Sequence, residues 1–208
     1  MKTYSYLALG DSYTIGEQVP LAESFPYQTI QLLRKADVSE ENQQHIFAAP
    51  EIIAKTGWTT DELSAAIGQT VFLSNYDIVS LLIGVNNQYR GRTVNEFEKE
   101  FELLLQMAIQ FAGGIADHVY VLSIPDWGLT PFAKDRDAKN STTEIDAYND
   151  VCEKVALNLK THFINITNDQ RVDVDDAEFL ASDGLHPSGK EYKKWAFKLS
   201  QLILTNLG

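Results

Sequence analysis

Cysteine is nearly missing from this chain: Cys152 is the single thiol in 208 residues, so no internal disulfide braces the fold. It falls inside a helical pattern, where a small core residue is expected rather than a reactive thiol. Basic residues are scarce as well. Lysine and arginine number 17 against 29 acidic residues, a formal charge of −12, and no Lys/Arg stripe stands out against it. That argues against nucleic acid as a partner, because a polyanion needs a basic footprint. Long apolar runs are absent: none approaches a membrane span, so no integral membrane association is expected. The opening residues Met1-Lys2-Thr3 enter a strand pattern at once, without the apolar core and small-residue cleavage site of a signal peptide. A cytoplasmic location is the expectation.

Other absences narrow the chemistry. There is no internal repeat, low-complexity stretch or linker, and no Walker or dinucleotide glycine pattern. The acidic stretch Asp173, Asp175, Asp176 and Glu178 lacks the spacing and glycine of an EF-hand loop, so it reads as a solvated face. His45, His118 and His162 have no partner pattern. No metal or organic cofactor is expected. What remains is 44% hydrophobic and 22% charged, an ordinary globular composition. The length suits one domain over residues 1–208 with a sizeable core.

Strands and helices alternate along the chain. Tyr4 to Leu9 is aromatic and apolar without a breaker and reads as a buried strand ending at Gly10. A loop with Gly16 and Pro20 leads to a helix over about Phe25 to Ala36. A second strand is expected within Asn42 to Lys55, stopped by Gly57. Thr59 or Thr60 caps a short helix carrying Leu63 and Ile67, with Glu62 in its first turn. Asp77 to Ile83 is the clearest strand, closed by Gly84. Thr93 to Ala112 is the clearest helix, with Val94, Phe97, Phe101, Leu104, Leu105 and Ala108 on one face and Gly113-Gly114 as its stop. Val119 to Ile124 is the fourth strand, ended by Pro125 and followed by a polar loop from Asp126 to Ser141. A helix over Thr142 to Leu159 and a fifth strand over His162 to Ile166 come next. Pro187 suits the first position of a last helix that presents Tyr192, Trp195, Ala196, Leu199 and Leu202.

Near-continuously apolar strands separated by helices imply a parallel sheet covered on both faces. Five such strands predict a three-layer α/β/α, flavodoxin-like fold with sheet order 2-1-3-4-5. In doubly-wound sheets of this kind ligands bind at the carboxyl ends of the strands, beside the switch point. Ser12 follows the first strand, Gly57 the second and Asn86 the third, so all three belong to one edge.

Those placements suggest chemistry. A serine hydroxyl is a weak nucleophile unless a base is positioned beside it and a third group orients the base. Ser12 stands on a strand-to-helix turn, where its N–H can face a developing negative charge. His186 lies in a turn ahead of a helix, and Asp183 is spaced to reach its Nδ1 if the segment is coiled. Gly57 has no side chain to block its N–H, and the Asn86 amide can donate. Each feature alone has a plainer reading: Gly-Asp-Ser as a capping turn, Gly57 as a helix-boundary glycine, Asn86 as a loop residue. Joint placement after successive strand ends favours catalysis.

The sequence also resembles a family. Gly10-Asp11-Ser12-Tyr13-Thr14, Gly57, Gly84-Val85-Asn86-Asn87 and Asp183-Gly184-Leu185-His186-Pro187 look like the four blocks of the SGNH (GDSL-type) hydrolases, in the family's order and across essentially the whole chain. The resemblance implies Ser12 as nucleophile, His186 as base and Asp183 as its orienter. It implies Ser12 N–H, Gly57 N–H and the Asn86 side chain as an oxyanion hole. The serine-hydrolase elbow G-x-S-x-G is absent, as that family does without it. Two departures stand out: Asn87 replaces the family's usual aspartate, and Tyr13 follows the nucleophile where leucine or isoleucine is frequent. Tyr13 is expected to pack below the turn or to line the pocket, with packing favoured.

Tyr13, Trp58, Tyr89, Trp127 and Leu185 are the candidate substrate contacts. Phe132 joins Trp58, Tyr89 and Trp127 as a loop aromatic at the active edge, and such aromatics either shape a pocket or form local cores. Arg90 and Arg92 either attract an anionic head group or pair with nearby acidic residues. The expected activity is hydrolysis of a small-molecule carboxylic ester through an acyl-enzyme on Ser12. A short acyl ester, lysophospholipid, thioester or acetylated sugar all remain open, with short chains preferred because no long apolar lid is visible. The alternatives are a flavodoxin-like module holding a nucleotide or flavin phosphate at the Gly10 to Thr14 turn, or a silent relative that binds carbohydrate. The first leaves Asp183, His186 and Asn86 unexplained. The second is weakened by the intact Ser12, His186 and Asp183.

Overall fold

The computed structural model describes residues 2–38, 45–136, 138–174 and 176–206. Its centre is a parallel sheet of β2 (Tyr6–Gly10), β4 (Glu51–Ala54), β5 (Ile78–Leu82), β6 (Val119–Leu122) and β7 (His162–Ile164), in the order β4-β2-β5-β6-β7. Counting only these five strands, this is the expected order 2-1-3-4-5. The middle strands β2, β5 and β6 are buried at every residue, which is why they read as unbroken apolar runs. Ile78, Val79, Leu81 and Leu82 expose none of their surface, and each contributes at most about 1.5–3 kcal/mol of burial.

Two expected strands are divided. The first breaks at Ser5 into β1 (Lys2–Tyr4) and β2, because the Ser5 N–H and hydroxyl both donate to Asp77 Oδ2 at 2.9 Å. The second divides into β3 (His45–Phe47) and β4 around Ala48-Ala49-Pro50, where proline brings no N–H to a ladder. The start of that expected strand, Asn42 to Gln44, lies outside the described residues. β1 and β3 pair in parallel as a separate small sheet, with Lys2 opposite His45 and Tyr4 opposite Phe47.

Helices cover both faces. α2 (Phe25–Val38) packs on α8 (Gly189–Asn206), while α3 (Thr60–Ile67), α5 (Val94–Phe111) and α6 (Ser141–Asn158) form the opposite layer. Thr93 caps α5, with Glu96 returning to the Thr93 N–H at 3.1 Å, and Gly113 and Gly114 follow it with positive φ. Thr59 precedes α3 as its cap, and Glu62 accepts the Thr59 N–H at 2.9 Å. Cys152 is buried in α6, and desolvation pushes its thiol pKa up, as suits a core residue.

Three helices are too short for periodicity to register: α1 (Ser12–Ile15), which begins at the strand-to-helix turn of Ser12, α4 (Val85–Tyr89) and α7 (Thr167–Asp173). Pro187 does not begin the last helix. It bridges to Leu180, and α8 begins at Gly189, with Ser188 O accepting the Tyr192 N–H at 3.0 Å. Along α8 it is Ile203, more than Leu202, that reaches the fully buried core. Among the described residues no helix is long and apolar enough to cross a membrane, and no cluster of His, Cys, Asp and Glu has the make-up of a metal site. In the acidic stretch Asp173 pairs with Lys194 and Asp176 accepts the Glu178 N–H at 2.9 Å, while Asp175 lies outside the described residues.

Candidate active site

The carboxyl ends of β2, β4 and β5 deliver Ser12, Gly57 and Asn86 to one edge, and the segment ahead of α8 brings His186 over it. At β2 the close fit begins with Gly10. A Cβ there would lie 2.1 Å from Thr14 Oγ1 and 2.4 Å from Leu82 O, so only glycine lets α1 fold back on the strand end. Asp11 caps α1: its Oδ1 accepts the Tyr13 N–H at 3.0 Å and its carbonyl accepts those of Thr14 and Ile15. The N–H groups of Tyr13, Thr14 and Ile15 are thereby occupied. Ser12 N–H, at the first helical position, has no acceptor among the described residues.

Ser12 Oγ stands 3.0 Å from His186 Nε2, although 174 residues separate them in sequence. On the far side of the ring, His186 Nδ1 is 2.6 Å from Asp183 Oδ2. Asp183 is set by an Asx turn in which Oδ1 accepts the N–H groups of Leu185 and His186, both at 3.0 Å. Burial pushes the Asp183 carboxyl pKa up, but the bonds from the His186 ring and from these two N–H groups outweigh it and hold it below its ordinary value. An ionised Asp183 accepts a hydrogen bond from Nδ1–H, which leaves Nε2 to accept the Ser12 hydroxyl hydrogen. The arrangement can draw a proton from Ser12 and orient the imidazole that receives it. His186 is buried, with its ring centroid 5.2 Å from that of Tyr13.

Gly57 occupies a turn closed by Trp58 N–H on Lys55 O at 3.2 Å. Its φ is +84° while Thr56 stays out of the positive-φ region, the signature of a type II turn with glycine in third place. The constraint is therefore backbone conformation rather than space, since a Cβ at Gly57 would meet nothing closer than Arg90 Nη2 at 3.8 Å. The Gly57 N–H has no acceptor among the described residues. Asn86, in α4, donates one amide hydrogen to Trp58 O at 3.0 Å and makes only a 3.5 Å approach to Asp11 Oδ2 with the other. Burial raises the Asp11 carboxyl pKa to about 7, against the lowering effect of the Tyr13 N–H and its own backbone.

These groups open onto a cavity of about 160 Å³ lined by Tyr13, Val85, Tyr89, Trp127, Phe132 and Leu185, besides Ser12, Thr56, Gly57, Asn86 and His186. Tyr13 is buried beneath the turn and also borders the cavity. Trp58 does not line it; it is half-buried against the core, and only its carbonyl reaches the site, through Asn86. Trp127 stands edge-on to Tyr89 and to Phe132, with centroids 5.1 and 6.3 Å away. Arg90 and Arg92 are engaged locally, Arg90 with Glu62 at 3.2 Å and Arg92 with Asp61 at 2.7 Å and Glu100 at 3.5 Å. Their charges answer neighbouring carboxylates.

Several contributors went unseen in the sequence. Gln88 accepts the Trp127 indole N–H at 2.6 Å and donates to Glu144 at 2.7 Å, holding the aromatic wall to α4. The 126–141 loop is tied to the site where Phe132 N–H donates to Gly184 O at 3.0 Å, and to α7 where Arg171 reaches the buried Asp126 at 3.0 Å. These side chains act across loops and carry no periodic signal; a predicted position near the strand ends was the only hint.

Solved structures share this architecture. The lipase/acylhydrolase from Enterococcus faecalis is 21% identical, with 98% of this chain and 95% of that one covered and a TM-score of 0.68. Axe2, an acetylxylan esterase from Geobacillus stearothermophilus, is 18% identical over 99% and 94% of the two chains, with a TM-score of 0.68. The psychrotrophic esterase EstA from Pseudoalteromonas sp. is 15% identical over 98% of each chain, with a TM-score of 0.66. No curated protein matches the chain in sequence. The model of the GDSL-like lipase/acylhydrolase family matches residues 8–194, and the chain belongs to that family of carboxylic ester hydrolases.

Proposed function

We propose that the protein, as one catalytic domain, hydrolyses esters of short apolar acyl groups through an acyl-enzyme on Ser12. The observation that carries this reading is the unbroken chain Asp183 Oδ2, His186, Ser12 Oγ, with contacts of 2.6 and 3.0 Å, at the mouth of a cavity. His186 Nε2 takes the Ser12 proton as Oγ attacks the ester carbonyl. The carbonyl oxygen becomes an oxyanion facing Ser12 N–H, Gly57 N–H and the loosely held Asn86 amide hydrogen. Collapse expels the alcohol, which leaves with the proton from His186. Water then repeats the sequence on the acyl-enzyme, releasing the acid and restoring Ser12.

The cavity supports the short acyl chain. Apart from the proposed catalytic groups, Thr56 and the hydroxyls of Tyr13 and Tyr89, its lining is apolar, and the Thr56 hydroxyl donates to Glu17. At about 160 Å³ the space is below the roughly 300 Å³ where pockets for drug-sized ligands begin.

A fluorophosphonate probe with peptide mapping, run beside p-nitrophenyl esters from acetate to decanoate, tests the reading. An adduct on Ser12 that requires His186, with kcat/KM peaking at short chains, is expected. A folded protein that gains no adduct and hydrolyses none of these esters would refute it.

A further inference from the structure

The Gly57 N–H serves an oxyanion only while its turn keeps one orientation, and the turn is poorly equipped to do this alone. Its closing bond is long, at 3.2 Å, and its third residue is glycine. The restraint comes from outside. Arg90 Nη2 donates to Gly57 O at 2.6 Å, Asn86 Nδ2 to Trp58 O at 3.0 Å, and Asn87 Oδ1 accepts the Thr60 N–H at 3.1 Å. Side chains from α4 and its C-cap thus grip the backbone at 57, 58 and 60.

Each grip is itself anchored. The other arm of Arg90 rests on Glu62 Oε1 at 3.2 Å, and Glu62 Oε2 is held by the Thr59 N–H at 2.9 Å. The guanidinium is fixed at both ends, a geometry that a planar fork supports and an ammonium does not. Asn87 is fully buried; its amide donates to Thr60 Oγ1 at 2.6 Å and approaches Glu100 Oε2 at 3.5 Å, while the Thr60 hydroxyl also donates to Glu100. This accounts for asparagine where the resembling family has aspartate. A carboxylate at position 87 would face the Glu100 carboxylate, whereas the amide donates to it.

We propose that Arg90 and Asn87 are positioning residues for the oxyanion hole, acting through the 57–60 turn rather than on the substrate. The proposal rests on the catalytic reading of Ser12, Gly57 and Asn86 given above. Arg90→Met keeps the aliphatic stem, removes the donors and alters a side chain that is 44% exposed, so folding is preserved. Its kcat is expected to fall about tenfold or more with KM within about twofold, since only transition-state contacts are lost. Affinity for a trifluoromethyl ketone, whose adduct with serine carries an oxyanion, falls by the same factor, and Arg90→Lys recovers part of both. Asn87→Asp lowers kcat as well, and adding Glu100→Gln, which removes the facing charge, restores it. Unchanged kcat and ketone affinity in Arg90→Met would overturn the proposal, as would an Asn87→Asp defect that Glu100→Gln does not relieve. Ser12→Ala, run in parallel, separates the two levels. If it keeps turnover, the catalytic reading fails and this proposal with it; if it is inactive while Arg90→Met matches wild type, only the positioning role fails.

Discussion

The two flanks of the site are built by opposite means. On the Gly57 and Asn86 flank the backbone is held by directional hydrogen bonds of 2.6 to 3.1 Å from α4 and its C-cap. On the other flank Trp127 packs in T-shaped contacts with Tyr89 and Phe132, anchored mainly by the Gln88 bond to Trp127 and the Phe132 bond to Gly184. The contrast follows from the tasks. An oxyanion gains stabilisation only from donors at about 2.7–3.1 Å, so small displacements there are expensive. Burying an acyl chain is non-directional and tolerates rearrangement. One flank should break when altered, and the other should retune.

The largest effect belongs to the groups joining the flanks. Ser12→Ala and His186→Ala are each expected to lower kcat by about 10⁴-fold or more, and the double variant should be little worse than either. Steady-state kinetics on a p-nitrophenyl ester checks this; additive losses would show that the two do not act as one unit. On the polar flank Asn86→Ala should cost about 10²–10³-fold in kcat with KM nearly unchanged. A rate left intact would remove Asn86 from the oxyanion hole.

On the aromatic flank Phe132→Ala should leave kcat for the best substrate within about threefold, because no directional contact to the reacting atoms is lost. Its effect should appear in the chain-length series, where the ratio of kcat/KM for octanoate over butanoate rises about tenfold as the wall recedes. An unchanged profile would place the acyl chain elsewhere.

The smallest effect concerns Asp11, buried below both flanks. Its carboxyl pKa is raised by burial from 3.8 to about 7, so the folded state binds this proton more tightly than the unfolded chain. That contribution to stability is complete below pH of about 4 and disappears as pH rises through about 7. Denaturant unfolding of wild type and Asp11→Asn at pH 5 and pH 8 reads it. The stability of wild type relative to the variant should be greater at pH 5, and a difference independent of pH would contradict the raised value.

Much of the fold was legible because burial on both faces demands continuous apolar strands, as in Ile78–Leu82, and one-sided packing demands the period of Phe97, Phe101, Leu104 and Leu105. The breaks were not. Ser5 interrupts the first strand through Asp77, a residue 72 positions away, and no local pattern announces that. α4 and α7 are too short for periodicity to register, and α4 with its C-cap is the element from which Asn87, Gln88 and Arg90 act. Trp58 was expected at the pocket from its place after a strand end, yet its ring turned to the core while its carbonyl served Asn86.

Sequence alone settled the layer architecture, the strand order and the residue types gathered at one edge, because hydrophobic periodicity and turn chemistry are local properties. The Asp183 to His186 contact was local too, an Asx turn closed within four residues. The tertiary structure decided what depends on distance between remote segments: that Ser12 Oγ lies 3.0 Å from His186 Nε2, and that α4 holds the Gly57 turn. Hydrogen bonds between remote segments are won or lost within a few tenths of an ångström, and only the packed core sets positions that finely.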